Sequence, residues 1–187
     1  MEEKTVRKIA LIACLASLLA ISAIAQTGSS TSSDRGTGEA YLGYQHTTGD
    51  IGENGWNISG AKYLGEHFGA EGDFAGQYGS ASLLGVKVNQ HEYSFLFGPK
   101  VMFTTSDEKF TPWAHLLLGG AHQGFDSNIG ANDGDTSFAW ALGGGVDYHI
   151  TDNVAARGKL DLYHTSYFSN GDAHARFGFG IVYNFGK

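Results

Sequence analysis

The chain has 187 residues, with 28 Gly, 2 Pro and 13% aromatic residues, a composition of strands and turns rather than of disorder. Its formal net charge of -7, with no Lys/Arg cluster, speaks against a protein that tracks nucleic-acid phosphates. The single Cys, Cys14, leaves neither an internal disulfide nor a Cys-based zinc site.

The first predicted element is a secretory signal peptide over residues 1–25. Lys4, Arg7 and Lys8 precede an apolar run from Ile9 to Ala25, which closes on the small-residue cleavage pattern Ala23-Ile24-Ala25. Two other readings compete: a retained membrane anchor, and a lipoprotein cleavage box at Leu11 to Cys14. The apolar run continues well past Cys14, and it is short for a spanning helix. Cleavage after Ala25 leaves a mature chain without Cys, opening on a Ser/Thr/Gly-rich flexible leader over residues 26–38.

Residues 39–187 form one domain. No amphipathic helix occurs there. Eight runs of alternating polarity do, separated by Gly/Asn/Asp/Ser clusters: 39–47, 55–64, 68–78, 91–103, 110–125, 136–150, 154–167 and 173–185. Most exceed the usual globular strand of about 5–6 residues. The connections alternate between long (TTGDIGENG, GSASLLGVKVNQ, DSNIGANDGD, FSNGD) and short (GEH, TTSDEK, TDN). This is the rhythm of an up-and-down barrel with long loops at one end and short turns at the other.

Each run splits into two faces by parity. In the third, Phe68, Ala70, Phe74 and Tyr78 oppose Glu71, Asp73 and Gln77. In the fourth, Tyr93, Phe95, Phe97, Val101 and Phe103 oppose Glu92, Ser94, Gly98 and Lys100. The fifth, FTPWAHLLLGGAHQ, is apolar on both faces. In the sixth, Phe138, Trp140, Leu142, Val146 and Tyr148 oppose Ala139, Ala141, Gly143, Gly145, Asp147 and His149. In the seventh, Leu160, Leu162 and His164 oppose Arg157, Lys159, Asp161 and Tyr163. The eighth sets Phe177, Phe179, Ile181, Tyr183 and Phe185 against Arg176 and glycines.

Alternation does not say which face is inside. A secreted, soluble lipocalin-like ligand-binding barrel would bury the Phe row. A membrane barrel inverts this, and three features favour inversion. The polar face mixes charges with Gly and Ala, as a narrow lumen filled by long side chains requires. Aromatic residues gather near strand ends: Trp56, Tyr78, Tyr93, Phe125 and Phe138 at one rim, Phe68, Phe103, Phe110, Tyr148 and Phe185 at the other. The strands are also long enough to cross hydrocarbon when tilted.

EAYLGYQ at Glu39–Gln45, GAEGDF at Gly69–Phe74, FLFGPKVMF followed by TPWAHLLLGGAH, and the terminal FGFGIVYNF together resemble the small outer-membrane β-barrel family that includes the transmembrane domain of outer membrane protein A. The resemblance implies an all-β, eight-stranded antiparallel up-and-down transmembrane barrel in the outer membrane of a Gram-negative-type bacterium. It implies outer-membrane lipid and the barrel-insertion machinery as partners, and no cofactor. The row Phe177, Phe179, Ile181, Tyr183 and Phe185 resembles the C-terminal signal read by that machinery. The family serves as anchor, adhesin, narrow pore or lipid-modifying enzyme, so fold alone does not fix the activity.

The remaining motifs point to little chemistry. The eight His form no metal-binding spacing, and His115 and His122 point to opposite faces. His164 and Ser166 share the lipid face, as in outer-membrane lipid A hydrolases with a Ser nucleophile and a His base, but the nearest following acid is Asp172 in a loop. The Gly runs lead into no helix, so phosphate cradling is not expected. DSNIGANDGD lacks EF-hand ligand spacing. The most informative set is the inward one: Glu39, Glu71, Asp73, Glu92, Asp147 and Asp161 against Lys100, Arg157, Lys159 and Arg176. Charges of both signs in a small barrel are expected to pair and fill it. The expectation is a monomer without enzymatic chemistry, in a structural or surface-interacting role with at most restricted passage of small solutes.

Overall fold

The computed structural model describes residues 37–49, 52–83, 86–103, 105, 109–127, 132–166 and 171–186. Eight strands follow in chain order: β1 (Gly38–Thr47), β2 (Glu53–Tyr63), β3 (Phe68–Leu83), β4 (Val86–Met102), β5 (Phe110–Ser127), β6 (Asn132–His149), β7 (Val154–Thr165) and β8 (Asp172–Phe185). Each pairs antiparallel with the next, and β8 pairs back to β1, so the sheet is a closed barrel. Closure leaves no sheet edge, which is what lets strands cross a membrane at all. The expected signal peptide and most of the expected leader lie outside the described residues; β1 begins at Gly38, inside the stretch read as leader.

The eight strands fall where the alternation places them, with two differences. GSASLLGVKVNQ, read as a long loop, is largely strand: β3 and β4 stay in register from Gly79↔Gln90 to Leu83↔Val86. Residues 132–135, read as loop, belong to β6 and pair with β5 at Asp126↔Asn132 and Gln123↔Asp135. Polar, Gly-rich sequence looks like loop to a periodicity argument, yet beyond the membrane both strand faces are wet and no apolar alternation is needed. The wall is consequently uneven. β3 to β6 run 16, 17, 18 and 18 residues, while β1, β2 and β7 run only 10, 11 and 12.

The two faces segregate as a membrane requires. Large apolar side chains stand on the outside: Phe179 is 65% exposed, Phe95 63%, Phe68 61% and Leu42 60%. The buried charged side chains face the lumen while the Phe row stands outside, which disfavours the soluble arrangement with that row buried. The terminal row lies wholly on the outer face, with Phe177, Ile181, Tyr183 and Phe185 all about half exposed. One rim assignment changes: Phe125 shares the parity of Leu117 and Ala121, which face inward. Ordinary apolar core is scarce, consisting of two small clusters around Leu96–Leu117–Tyr163 and Tyr41–Val182.

Candidate functional site

The lumen is built from one parity of every strand, and its charged groups form one connected network. At the end where Gly38 and Phe185 lie, Glu39 on β1 meets Lys100 of β4 at 2.5 Å and Arg157 of β7 at 2.8 Å, with the Tyr63 hydroxyl also donating to it. Arg157 grips its cross-strand neighbour Asp147 in a fork, Nε to Oδ1 and Nη2 to Oδ2 both at 2.7 Å. The same guanidinium lies 4.7 Å from the Trp113 ring centre, and Trp113 Nε1 donates to Asp147 at 3.0 Å. A planar fork on a carboxylate, backed by an aromatic face, suits Arg and not Lys.

Mid-lumen, the cross-strand pair Asp161 and Arg176 joins at 2.9 Å. Lys159 donates to Asn57 Oδ1 at 2.6 Å and to Asp73 at 3.2 Å, and Asn57 Nδ2 bonds Asp73 at 2.9 Å. His115 of β5 bridges the two halves, with Nδ1 3.0 Å from Glu71 and Nε2 3.0 Å from Asp161. Ionised carboxylates only accept hydrogen bonds, so both ring nitrogens must donate and the ring is an imidazolium. Five carboxylates (Glu39, Glu71, Asp73, Asp147, Asp161) then face five cations (Lys100, Arg157, Lys159, Arg176, His115), all buried. Pairing of this kind is what makes so many buried charges tolerable.

Gly143 shows how tightly the network is packed. A Cβ there would lie 2.2 Å from Asp161 Oδ1 and 2.4 Å from the Leu160 carbonyl oxygen. Gly143→Val should therefore push Asp161 away from His115 and Arg176, costing about 1–3 kcal/mol. Urea unfolding of the detergent-solubilised barrel checks this; an unchanged midpoint would mean that the wall yields there.

Apolar residues outside and a balanced charge network inside are the inverse of a soluble barrel. The sequence pattern described as outer membrane protein beta-barrel domain matches residues 11–185. The chain belongs to this family. As an outer-membrane barrel it resembles several solved structures in fold. The attachment invasion locus protein Ail of Yersinia pestis, in complex with the heparin analogue sucrose octasulfate, matches with a TM-score of 0.59 at 18% identity, over 81% of this chain and 99% of that one. Neisserial surface protein A matches at 0.61 and 14%, over 79% and 96%. Outer membrane protein W of E. coli matches at 0.51 and 15%, over 81% and 98%. No protein of curated function matches the sequence.

All ten ionisable residues singled out in the sequence lie in the lumen of this outer-membrane barrel. Nine belong to the network just described. Glu92 sits further out, accepting from Gln77 at 3.3 Å and from the Tyr163 hydroxyl at 2.9 Å. Parity placed Gln77 on the inward face, but missed His115, Trp113, Asn57 and the buried Glu53. His115 and Trp113 lie on the strand whose two faces look alike; the register Lys100↔His115 is the signal that would have placed His115 inside. His164 and Ser166 do lie together, 3.4 Å apart at the outer surface. The imidazole stacks on Trp140, with 5.4 Å between centroids, and among the described residues it bonds no carboxylate.

Proposed function

We propose that this outer-membrane barrel is a monomeric anchor that presents its far-end hairpins at the cell surface, with a lumen closed to bulk solutes and no enzymatic role. The observation carrying this is the inner network: Glu39 reaches β4 and β7 across the barrel, and His115 ties β3 to β7. An eight-stranded barrel has room for little more than its own side chains. The row from Phe177 to Phe185 serves, in this reading, as the signal for the insertion machinery. For the hydrolase alternative, no orienting acid bonds His164 among the described residues.

Ail was solved with a sulfated sugar, but that ligand class suits this chain poorly. Over residues 79–90, 122–136 and 166–174 the sequence has one Lys, Lys87, and no Arg, against Asp126, Asp133, Asp135 and Asp172. An acidic rim repels a polyanion. Liposome swelling tests the closed lumen. Vesicles carrying the purified protein should swell in arabinose no faster than empty vesicles, and rapid swelling would overturn the reading.

A further inference from the structure

A pocket of about 710 Å³ opens on the outer wall of the barrel, away from the lumen network, where β2 to β5 carry Tyr78 and Tyr93. That size lies within the range of about 300–1,000 Å³ of small-molecule sites. Register builds it from adjacent rows of outward residues. Asn54↔Tyr78, Tyr78↔His91 and His91↔Gly124 make one row. Ser80↔Asn89 and Asn89↔Asp126 make the next row toward the strand tips.

One side of the pocket is aromatic and held rigid. Tyr78 and Tyr93 pack edge to face, 6.1 Å between centroids at 88°, with their hydroxyls 2.9 Å apart. His91 lies 6.0 Å from the Tyr93 ring, and Gly124 gives it room: a Cβ there would lie 2.4 Å from Nε2. Both tyrosines stay accessible, at 48% and 37%. The other side offers polar groups. Asn54 Oδ1 accepts from the Tyr44 hydroxyl and from His46 Nδ1 at 2.9 Å, which fixes the amide and makes Nδ2 its group for a further partner. Asp126 Oδ2 stands 3.6 Å from His91 Nδ1, too far for a hydrogen bond, so the exposed carboxylate keeps its acceptor capacity. Asn89, exposed beside it, adds a donor and an acceptor.

This lining narrows the ligand class. No Lys or Arg lines the pocket among the described residues, so an anion finds no counter-charge. No aliphatic side chain lines it either, so an apolar peptide anchor gains little. Rigid tyrosine surface beside a carboxylate and two amides suits a molecule with C–H faces and a rim of hydroxyls. We infer that this pocket binds an uncharged sugar ring. The Tyr78–Tyr93 pair takes the C–H face, Asp126 accepts from hydroxyls, and Asn54 and Asn89 bond the rest of the rim. This gives a ligand class to the surface role proposed above and rests on that reading only for the pocket's facing the cell exterior.

The full protein, purified in lauryldimethylamine oxide (a detergent without sugar), is labelled and applied to an array of uncharged, sialylated and sulfated glycans. Native mass spectrometry with digalactosyldiacylglycerol against phosphatidylcholine asks whether the sugar comes on a lipid. Binding of uncharged glycans on the array is expected if the source is a free or partner glycan, and selective retention of the galactolipid if it is a lipid headgroup. Asp126→Ala and Tyr78→Ala should each weaken binding roughly tenfold, one charge-assisted hydrogen bond or one ring surface being lost. Tyr78→Phe, which keeps the ring, should weaken it less. Asp172→Asn, at the outer end of β8, should leave it unchanged. The mobility difference between heated and unheated samples checks that each variant folds. Failure to bind in both arms would overturn the proposal, as would a preference for sulfated glycans. Binding that survives in folded Asp126→Ala and Tyr78→Ala would overturn it too, by placing the sugar elsewhere. Binding in detergent tests the pocket whether or not the lumen is closed, and liposome swelling tests the lumen whatever the pocket holds.

Discussion

Arg157→Ala is expected to destabilise the barrel by about 3–5 kcal/mol and to raise its conductance in planar bilayers. Among the described residues Arg157 alone contacts both Glu39 and Asp147, and it packs against the Trp113 and Tyr41 rings at 4.7 and 5.4 Å. Truncation leaves Glu39 with Lys100 and Tyr63 but takes the fork from Asp147, whose remaining donor is the Trp113 indole. The cost is that of a buried charge short of partners, and water entering the space would reduce it. The same space then becomes a passage. Arg157→Met separates the two effects by restoring bulk without charge: it should conduct less than the Ala variant while remaining unstable. A large, steady wild-type conductance that Arg157→Ala leaves unchanged would show the lumen to be open already.

Phe179→Arg should disfavour insertion by about 2–4 kcal/mol, the range for a cationic side chain facing lipid at mid-bilayer. Phe179 is 65% exposed and packs only sideways, 5.2 Å from the Tyr44 ring. An Arg there has no inward route, since neighbouring Gly178 and Gly180 line the crowded lumen side. Asp152→Arg, in the exposed turn between β6 and β7, is the control and should insert normally. Equal folding yields of the two variants in phospholipid bilayers would contradict the assignment of the outer face.

Strand number, order and facing could be read from the chain because lipid on one side and a packed lumen on the other enforce alternation residue by residue. Thus Arg176 and Phe177 separate by parity in the sequence alone. Alternation fails where that contrast fades. Above the membrane, Ser80 and Asn89 pair within the β3–β4 hairpin although nothing in their polarity says strand. On β5, Leu116 and Leu117 are alike in type, but one meets lipid and the other lies fully buried. The cross-barrel partners could not be read at all. That Glu39 meets Lys100 rather than only its β8 neighbours depends on the stagger of the strands, which sets the heights at which distant side chains face each other.

The unequal strand lengths give the molecule a front and a back. At about 3.3 Å per residue and a tilt near 40°, a 10-residue strand rises roughly 25 Å, about the apolar thickness it must cross, whereas an 18-residue strand rises roughly 45 Å. The surplus is concentrated in four consecutive strands, β3 to β6, so it forms a parapet along one half of the rim instead of a collar around it. A molecule arriving from the side of β1 and β2 reaches the mouth at the level of the lipid. One arriving from the opposite side meets a stiff sheet first. Rotation about the membrane normal, usually irrelevant for a small cylindrical protein, then determines what two crowded neighbours show each other.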